Sequence, residues 1–291
     1  MVSFEHYLAQ QNYAPSTQRR YKLNVEAFIQ SNPEPIKCEY KDILNYLEEL
    51  NKYTPGTKTR SGRLNAIKKY YDYLIETGQR ETHPCKALNL KGNKKRKLIF
   101  TDLFSSDELE QLMNQEEKFA HLRVKNQLMM SLLIYQALMP QEVLKLKVQH
   151  VDLDDGTLYI QGGRVNMQRW LELHPRQYAI IETYLHETRP RLLQTSGIET
   201  DALLLNYRGR PVKVDDVSFI AERAKPLFPD RNLNTKAIRD SVLANMLNEN
   251  RMPVEQVQLF AGHRWICSTL RCRQTPMTDQ RAILNKYHPY E

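Results

Sequence analysis

Cysteine is scarce in the 291-residue chain, and its spacing excludes the common zinc sites. The cysteines form no Cys-x-x-Cys pair, and no histidines accompany them at zinc-ligand spacing. We therefore expect reduced structural thiols, with no metal and no other cofactor. The four residues are Cys38, Cys85, Cys267 and Cys272.

Long apolar runs are also missing. No stretch approaches the roughly 20 apolar residues that span a bilayer, and the opening MVSFEHYLAQQ lacks the basic and apolar regions of a secretory signal. Hydrophobic residues make up 41% of the chain and charged residues 26%, a balance typical of a globular protein. We expect a cytoplasmic protein with no membrane partner.

Acidic residues are outnumbered by basic ones only in the first third of the chain. Residues 1–100 contain 18 Lys and Arg against 10 Asp and Glu, whereas the remaining residues contain 24 of each. The first third therefore holds the whole net charge of +8. A basic run is usually an ordinary solvated face, but this concentration favours a surface that binds a polyanion, and phosphate backbones are the commonest such target.

Residues 1–90 are predicted to form a helical bundle, because apolar residues recur at helical spacing and no alternating strand pattern interrupts them. Ser16 or Thr17 is expected to cap the second helix. Residues 91–103 are predicted to be a basic linker. Basic residues near the starts of the two longer helices and in the linker suit phosphate contact, although ordinary surface charge remains the alternative. The candidate DNA-binding residues are Arg19, Arg20, Lys22, Lys58, Arg60, Arg63, Lys94, Lys95, Arg96 and Lys97.

Residues 104–291 are predicted to form a second, mostly helical domain with a small antiparallel sheet. Ser105 or Ser106 should start a helix, and an apolar helix should follow near 128–138. The strands are predicted at 157–161 and 169–174, with a further short strand at 202–206. More helices are predicted near 214–227, 235–248 and 254–260, and after Pro276. The chain should therefore be mainly α.

The order of these parts resembles the tyrosine recombinases, or phage integrases, over essentially the full chain. STQRRY, the helix TRSGRLNAIKKYYDYL and THPCKAL resemble their core-binding domain, which has a SAM-like fold. ALMPQEVLKLKVQHVDLDDGTLYI, LNTKAIRDSVLANML and LFAGHRWICSTLRC follow the order of the blocks in their catalytic domain. The resemblance implies a protein that binds double-stranded DNA. In the family, arginines and a lysine or histidine activate a phosphodiester for attack by a tyrosine, without a metal.

Several catalytic positions of the family are altered in this chain. Met139 stands at the first arginine, while Glu142 keeps the structural glutamate of the same block. Arg164 stands where the hairpin lysine is expected, and an arginine is a poor general acid. Lys236 replaces the histidine of the His-x-x-Arg block, and Arg239 matches its arginine. His263 matches the histidine of the Gly-His pair.

Cys272 stands where the resemblance places the tyrosine nucleophile, nine residues after His263. One interpretation is an inert thiol at a position that has drifted. The other is a thiolate nucleophile activated by Arg271 and Arg273. Tyr287 and Tyr290 are further candidates for an attacking hydroxyl, although they lie in a C-terminal tail better suited to packing.

Two hypotheses follow from these departures. The first is a DNA-binding member of the family that no longer exchanges strands, and that acts as an accessory, regulatory or architectural factor. The second is an active recombinase with a rearranged nucleophile, either Cys272 or a C-terminal tyrosine. The resemblance also implies a homo-oligomer, or a hetero-oligomer with an active recombinase, formed through the tail at 275–291. Docking of the tail on its own domain is the alternative. With DNA bound, the protein would be associated with the nucleoid.

Overall fold

The computed structural model describes residues 3–54, 56–90, 102–115, 117, 119–164 and 166–274. The chain forms two compact units, Met1–Arg96 and Lys97–Glu291. Most of the predicted linker, the helix predicted after Pro276 and the tail tyrosines lie outside the described residues. No helix in the described ranges is long and apolar enough to cross a membrane.

The first unit is a bundle of helices, as its apolar stripes predict. These helices are α1 (Phe4–Gln10), α2 (Pro15–Ser31), α3 (Tyr40–Tyr53) and α4 (Thr57–Glu76). Phe28, Ile67 and Tyr71 are completely buried where α2 and α4 pack together. The predicted cap of α2 by Ser16 or Thr17 is wrong, because the helix already begins at Pro15. Proline suits this first position because its φ is fixed near the helical value and it has no N–H to satisfy.

The second unit is mostly helical and is built around α6. Ser105, one of the two serines predicted to start this helix, caps α5, and it also forms a capping box with Glu108. The second half of α6, residues 128–134, is almost entirely apolar and buried on all sides, as helices inside a domain are. The helices are α5 (Ser106–Met113), α6 (Ala120–Tyr135), α7 (Pro140–Val143), α8 (Pro175–Thr183), α9 (Arg189–Ser196), α10 (Val214–Arg223), α11 (Thr235–Asn248), α12 (Val254–Ala261) and α13 (Ile266–Leu270). A π-helical turn, Tyr184–Thr188, joins α8 to α9.

Three short antiparallel strands form the sheet of the second unit. They are β1 (Val151–Asp152), β2 (Thr157–Ile160) and β3 (Arg169–Glu172), in the order β1-β2-β3. Leu158 of β2 lies opposite Leu171 of β3, and both side chains enter the core. The sheet prediction is confirmed for β2 and β3, which end slightly earlier than expected.

Several boundaries in the second unit differ from the sequence prediction. The apolar helix expected at 128–138 spans Ala120–Tyr135 and ends before Ala137, whose φ is 48°. The strand expected at 202–206 forms only isolated bridges, Lys147 with Ala202 and Leu205 with Pro211. The helix expected at 214–227 stops at Arg223 and continues as a short 3-10 turn. Pro226 follows within that turn, and proline cannot donate the hydrogen bond that would continue an α-helix.

Candidate active site

The centre of the candidate site is Glu142, a carboxylate on α7 that is only 3% exposed. Its Oε1 accepts hydrogen bonds from Arg169 Nη1 at 2.7 Å and from Asn166 Nδ2 at 2.6 Å. Its Oε2 accepts from the peptide N–H of Met139 at 2.8 Å and lies 3.6 Å from Arg239 Nη1. Burial alone would raise the pKa of Glu142, but the hydrogen bond and charge of Arg169 hold it below its ordinary value.

Arg239 is buried on α11, and its other contacts are with backbone oxygens and with the ring of His263. Its Nη1 donates to the carbonyl of Ala137, and its Nη2 donates to the carbonyl of Ala261 at 2.6 Å. The same Nη2 lies 3.3 Å from Nε2 of His263. Arg239 therefore fastens α11 to the segment before α7 and to the end of α12.

Ala137, which the resemblance places at a glycine of the block that carries the family's first arginine, has a backbone conformation that glycine adopts without strain. Its φ of 48° lies in the left-handed region, which costs an ordinary L residue about 1–2 kcal/mol. The conformation aims the Ala137 carbonyl at Arg239. A strained alanine persists only where the surrounding contacts hold the backbone, so these contacts fix the turn strongly.

His263 follows α12 and is held at both ring nitrogens. Nε2 lies 3.3 Å from Arg239, and Nδ1 lies 2.9 Å from the hydroxyl of Thr269. Because an arginine only donates, Nε2 must accept, so Nδ1 carries the proton and donates to Thr269. Burial, and after it the charges of Arg239, Arg271 and Arg169, lowers the pKa of His263 from 6.5 to about 4. The imidazole is therefore neutral at neutral pH.

Gly262 brings the Gly-His segment against the β2–β3 hairpin. Its carbonyl accepts from the N–H of Met167 at 2.8 Å, and Asn166 forms an isolated bridge with His263. Its φ is +66°, and a Cβ at this position would lie 2.4 Å from Nη1 of Arg169. Glycine is required here both for the backbone conformation and for the close approach of Arg169.

Two of the altered cationic positions, those of Lys236 and Arg164, lie at the surface. Lys236 is exposed on α11 and pairs with Asp240 one turn later. Arg164 is exposed after β2 and makes no hydrogen bond or ion pair with any residue that the structure describes. Met139 is partly buried at the start of α7, and its thioether carries no charge. Of the predicted catalytic residues, Arg239 and His263 are in direct contact, whereas Lys236 and Arg164 do not join the Glu142 network.

Cys272 is almost completely buried. It packs in an apolar cluster with Leu243, Leu247 and Val257, on α11 and α12. Burial raises the pKa of the Cys272 thiol to about 11, and Asp240 also raises it, against the opposing charges of Arg271 and Lys236. The sulfur is therefore a protonated thiol at neutral pH, which argues for the inert interpretation. Only Cys267, on the surface of α13, is exposed among the cysteines.

The sequence interpretation missed Arg169, which contributes more contacts to this centre than Lys236 or Arg164. Its Nε also donates to the carbonyl of Phe260 at 2.6 Å, joining β3 to α12. A signal was present: Arg169 and Leu171 share the buried face of β3, whereas Trp170 and Glu172 are exposed. A charged residue on the inward face of a strand indicates a buried partner of opposite charge.

The candidate DNA-binding residues of the first unit occupy different environments. Arg19, Arg20 and Lys58 are exposed. Lys22 is exposed but pairs with Glu5. Arg60 and Arg63 are partly buried, and Nε of Arg60 has no hydrogen-bond partner among the described residues. Lys94, Lys95, Arg96 and Lys97 lie outside the described residues.

The pH dependence of stability should report the neutral state of His263. The folded chain keeps this ring neutral down to about pH 4, whereas an unfolded chain protonates it near pH 6.5. The unfolded state thus binds more protons between these values, and the free energy of unfolding should fall as the pH decreases from 6.5 to 4. His263→Gln should flatten this fall by about 1–2 kcal/mol once solvent screening of the partly exposed ring is included.

Urea unfolding at several pH values measures this dependence. His186→Gln, at an exposed position of the same unit, is the control and should follow the wild type. Parallel profiles for His263→Gln and wild type would contradict the assignment.

Comparisons with known proteins agree with this architecture. The chain matches the phage integrase family over residues 103–274 and the SAM-like N-terminal domain of phage integrases over residues 1–78. The tyrosine recombinase XerC of Lactobacillus delbrueckii subsp. bulgaricus is 26% identical over 270 residues, covering 89% of this chain and 88% of that protein. XerC of Oceanobacillus iheyensis is 24% identical over 298 residues, covering 99% and 95%.

Solved structures share the fold. A XerH site-specific recombinase bound to palindromic difH substrate, in a post-cleavage complex, matches with a TM-score of 0.71 and 15% identity, over 95% of this chain and 80% of that one. A lambda integrase(75–356) dimer bound to a COC′ core site matches with a TM-score of 0.67 and 15% identity, over 91% and 94%. Since the integrase match alone spans more than half of the sequence, the chain belongs to the phage integrase family of tyrosine recombinases.

Proposed function

We propose that this tyrosine recombinase family member binds double-stranded DNA but does not exchange strands by the family's tyrosine route. Its role is then that of an accessory, regulatory or architectural factor. The observation that carries the proposal is Cys272, a buried thiol whose pKa is raised to about 11, at the position of the family's tyrosine. Such a group offers neither a hydroxyl nor a thiolate to a phosphodiester.

The other altered positions also argue against strand exchange by the family's route. Met139 supplies no charge where the family has its first arginine, and loss of one preorganised donor costs about 10²–10³ in rate. Lys236 is paired with Asp240 at the surface. Loss of a nucleophile takes a reaction close to its background rate. Together these changes predict a large reduction in the rate of strand exchange, not a modest one.

The residues that are retained have a structural reason to persist without catalysis. Arg239, Glu142 and His263 bond to one another or to backbone groups within the second unit. Removing Glu142 would leave Arg169 and Arg239 as buried charges without their partner, which costs about 3–5 kcal/mol. Their presence therefore does not argue for an active enzyme.

DNA binding is supported by charge and by the relatives. The whole excess of positive charge lies in residues 1–100. The XerH and lambda integrase structures that share the fold are named as complexes with difH and core-site DNA. We propose that residues 1–103 supply most of the phosphate contacts, and that the protein is cytoplasmic and associated with the nucleoid when bound.

A covalent-trapping experiment tests the absence of strand exchange. Duplexes are first enriched for binding from a random pool, and a nick is then placed within the bound sequence to trap a protein–DNA adduct. We expect no adduct under conditions in which a XerC relative forms one on its own site. A covalent adduct would overturn the proposal, and its loss in Cys272→Ser, Tyr287→Phe or Tyr290→Phe would identify the attacking residue.

The salt dependence of DNA binding tests the footprint. Double substitution of Arg60 and Arg63 by alanine should weaken binding and flatten the plot of log K against log salt by up to about 2 units, because fewer counterions are released. Lys41→Ala with Lys52→Ala, two exposed bases on α3, is the matched control and should change the slope less. An unchanged slope in the first pair, with folding verified by circular dichroism, would remove Arg60 and Arg63 from the footprint.

We also propose that residues 275–291 join protomers, either of this chain or of an active recombinase. Ile283, Leu284 and Tyr287 give this segment an apolar side at helical spacing. A groove of about 620 Å³ beside the edge strand β3 offers a surface of matching character, with exposed Trp170 and Leu259 in its lining. Apolar surface exposed in this way commonly marks an interaction site.

Truncation after Gln274 tests the tail. Sedimentation of the DNA complex should show fewer protomers per DNA than for the full chain. Leu259→Ser should reduce the same stoichiometry with the tail intact, and Leu227→Ser, exposed outside the groove, should not. If truncation lowers stability while the stoichiometry stays unchanged, the tail packs on its own protomer, and the proposal that it joins protomers is wrong.

A further inference from the structure

A second pocket of the second unit shares no residue with the Glu142 network. It lies between the first half of α6, helix α10 and the turn at 206–207, and its volume is about 460 Å³. Pockets that hold small ligands or anchor residues generally fall between about 300 and 1,000 Å³. Its size is therefore that of a site for one compact group.

Lys125 lines this pocket and is 6% exposed. It makes no hydrogen bond and no ion pair with the residues that the structure describes, although buried lysines are normally paired. Burial lowers its pKa, against the opposing influence of Asp216 and Glu117. Both acids are already engaged: Asp216 accepts from the N–H of Lys213 at 2.7 Å, and Glu117 pairs with Arg223 at 2.5 Å.

Asn126, the next residue of α6, supplies an unmatched acceptor. Its Nδ2 donates to the carboxylate of Glu117, and its buried Oδ1 has no hydrogen-bond partner in the described part of the chain. Turning the amide over would set its oxygen against the Glu117 carboxylate, so the contact fixes the orientation. Consecutive residues of α6 thus carry a donor and an acceptor that the described residues do not satisfy, and the acceptor is enclosed by its neighbours in the free chain.

Aromatic rings surround these two polar groups. Phe119, Tyr207 and Phe219 all line the pocket and are 52%, 54% and 58% exposed. Ile220 of α10 adds a buried apolar wall. Large aromatic side chains left this exposed around a concave site are typical of surfaces that bind an apolar partner group.

We propose that this pocket captures the C-terminal residue of a partner protein. The terminal carboxylate accepts from the ammonium of Lys125. Because Oδ1 of Asn126 is enclosed in the free chain, its neighbours must move before the N–H of the same residue can donate to it. The large apolar side chain of that residue packs against Phe219 and Ile220. One residue with these three features satisfies the unmatched donor, the unmatched acceptor and the apolar wall together. Capture of a terminal carboxylate is an established mode of peptide recognition.

A single carboxylate suits this pocket better than a DNA backbone does. Glu117, Asp215 and Asp216 all line it, and closely spaced acids oppose a polyanion over its whole length. One carboxylate that reaches Lys125 meets these charges where two of them are already held by Arg223 and by the start of α10. Contact between Lys125 and a DNA phosphate is the competing possibility.

Peptide binding to the full-length protein tests the inference without requiring any recombinase activity. Three acetylated hexapeptides of one sequence are compared by calorimetry. One ends in phenylalanine with a free carboxylate, one ends in its amide, and one has the free acid with the last amide nitrogen methylated. We expect the free acid to bind at least tenfold more tightly than either of the other two.

Variants then assign the contacts. Lys125→Met should remove the preference for the free acid, and Lys225→Met, at an exposed lysine beyond α10, should keep it. Lys125→Met should remain folded, because methionine fills the same space without burying a charge. If it does not, the comparison of the three peptides on the wild type still decides.

Two outcomes overturn the proposal. One is equal or absent binding of the three peptides to the wild type. The other is a loss of DNA affinity and a flatter salt slope in Lys125→Met without any change in peptide preference, which would assign Lys125 to the DNA footprint.

Discussion

The second unit depends on a single buried carboxylate, that of Glu142. Arg169 and Arg239 converge on it from β3 and α11, and Asn166 approaches it from the hairpin. Each arginine could be buried only because this acid is there, since an unpaired ion in the interior is strongly destabilising. The same arginines bond to carbonyls at the end of α12. One ionic centre thus fixes the relative positions of α7, the hairpin, α11 and α12.

This arrangement separates the framework of the site from its chemistry. Arg239 and His263 contact other parts of the protein, so losing either changes the fold as well as any reaction. Met139, Lys236 and Cys272, which the resemblance places at positions directed to the phosphodiester, are respectively uncharged, paired at the surface and buried among apolar residues. If the chain no longer exchanges strands, as we propose, the second group is free to change while the fold retains the first.

The sequence predicts those features that depend on local periodicity. The stripes that include Phe28 and Leu128 locate their helices because burial repeats with the helical turn. Contacts between distant segments are harder to predict from the sequence. Arg169 was missed because its partner Glu142 lies 27 residues earlier. Spacing from His263 located Cys272, but the raised pKa of its thiol depends on how α11 and α12 pack around it. Local rules can also compete, as where Pro15 rather than a serine or threonine sets the start of α2.

Buried charges are normally paired with an opposite charge inside the protein, as the arginines around Glu142 are. Lys125 is informative because it departs from this rule. The buried arginines near Glu142 have a carboxylate within the protein, whereas Lys125 has none among the described residues, and the acids nearest to it already have other partners. A buried charge with an internal partner can be explained by the fold alone. A buried lysine without one lowers stability, and the enclosed Oδ1 of neighbouring Asn126 has no hydrogen-bond partner among the described residues. Two unmatched groups of opposite character in one pocket are better explained by a partner that carries both a carboxylate and an N–H.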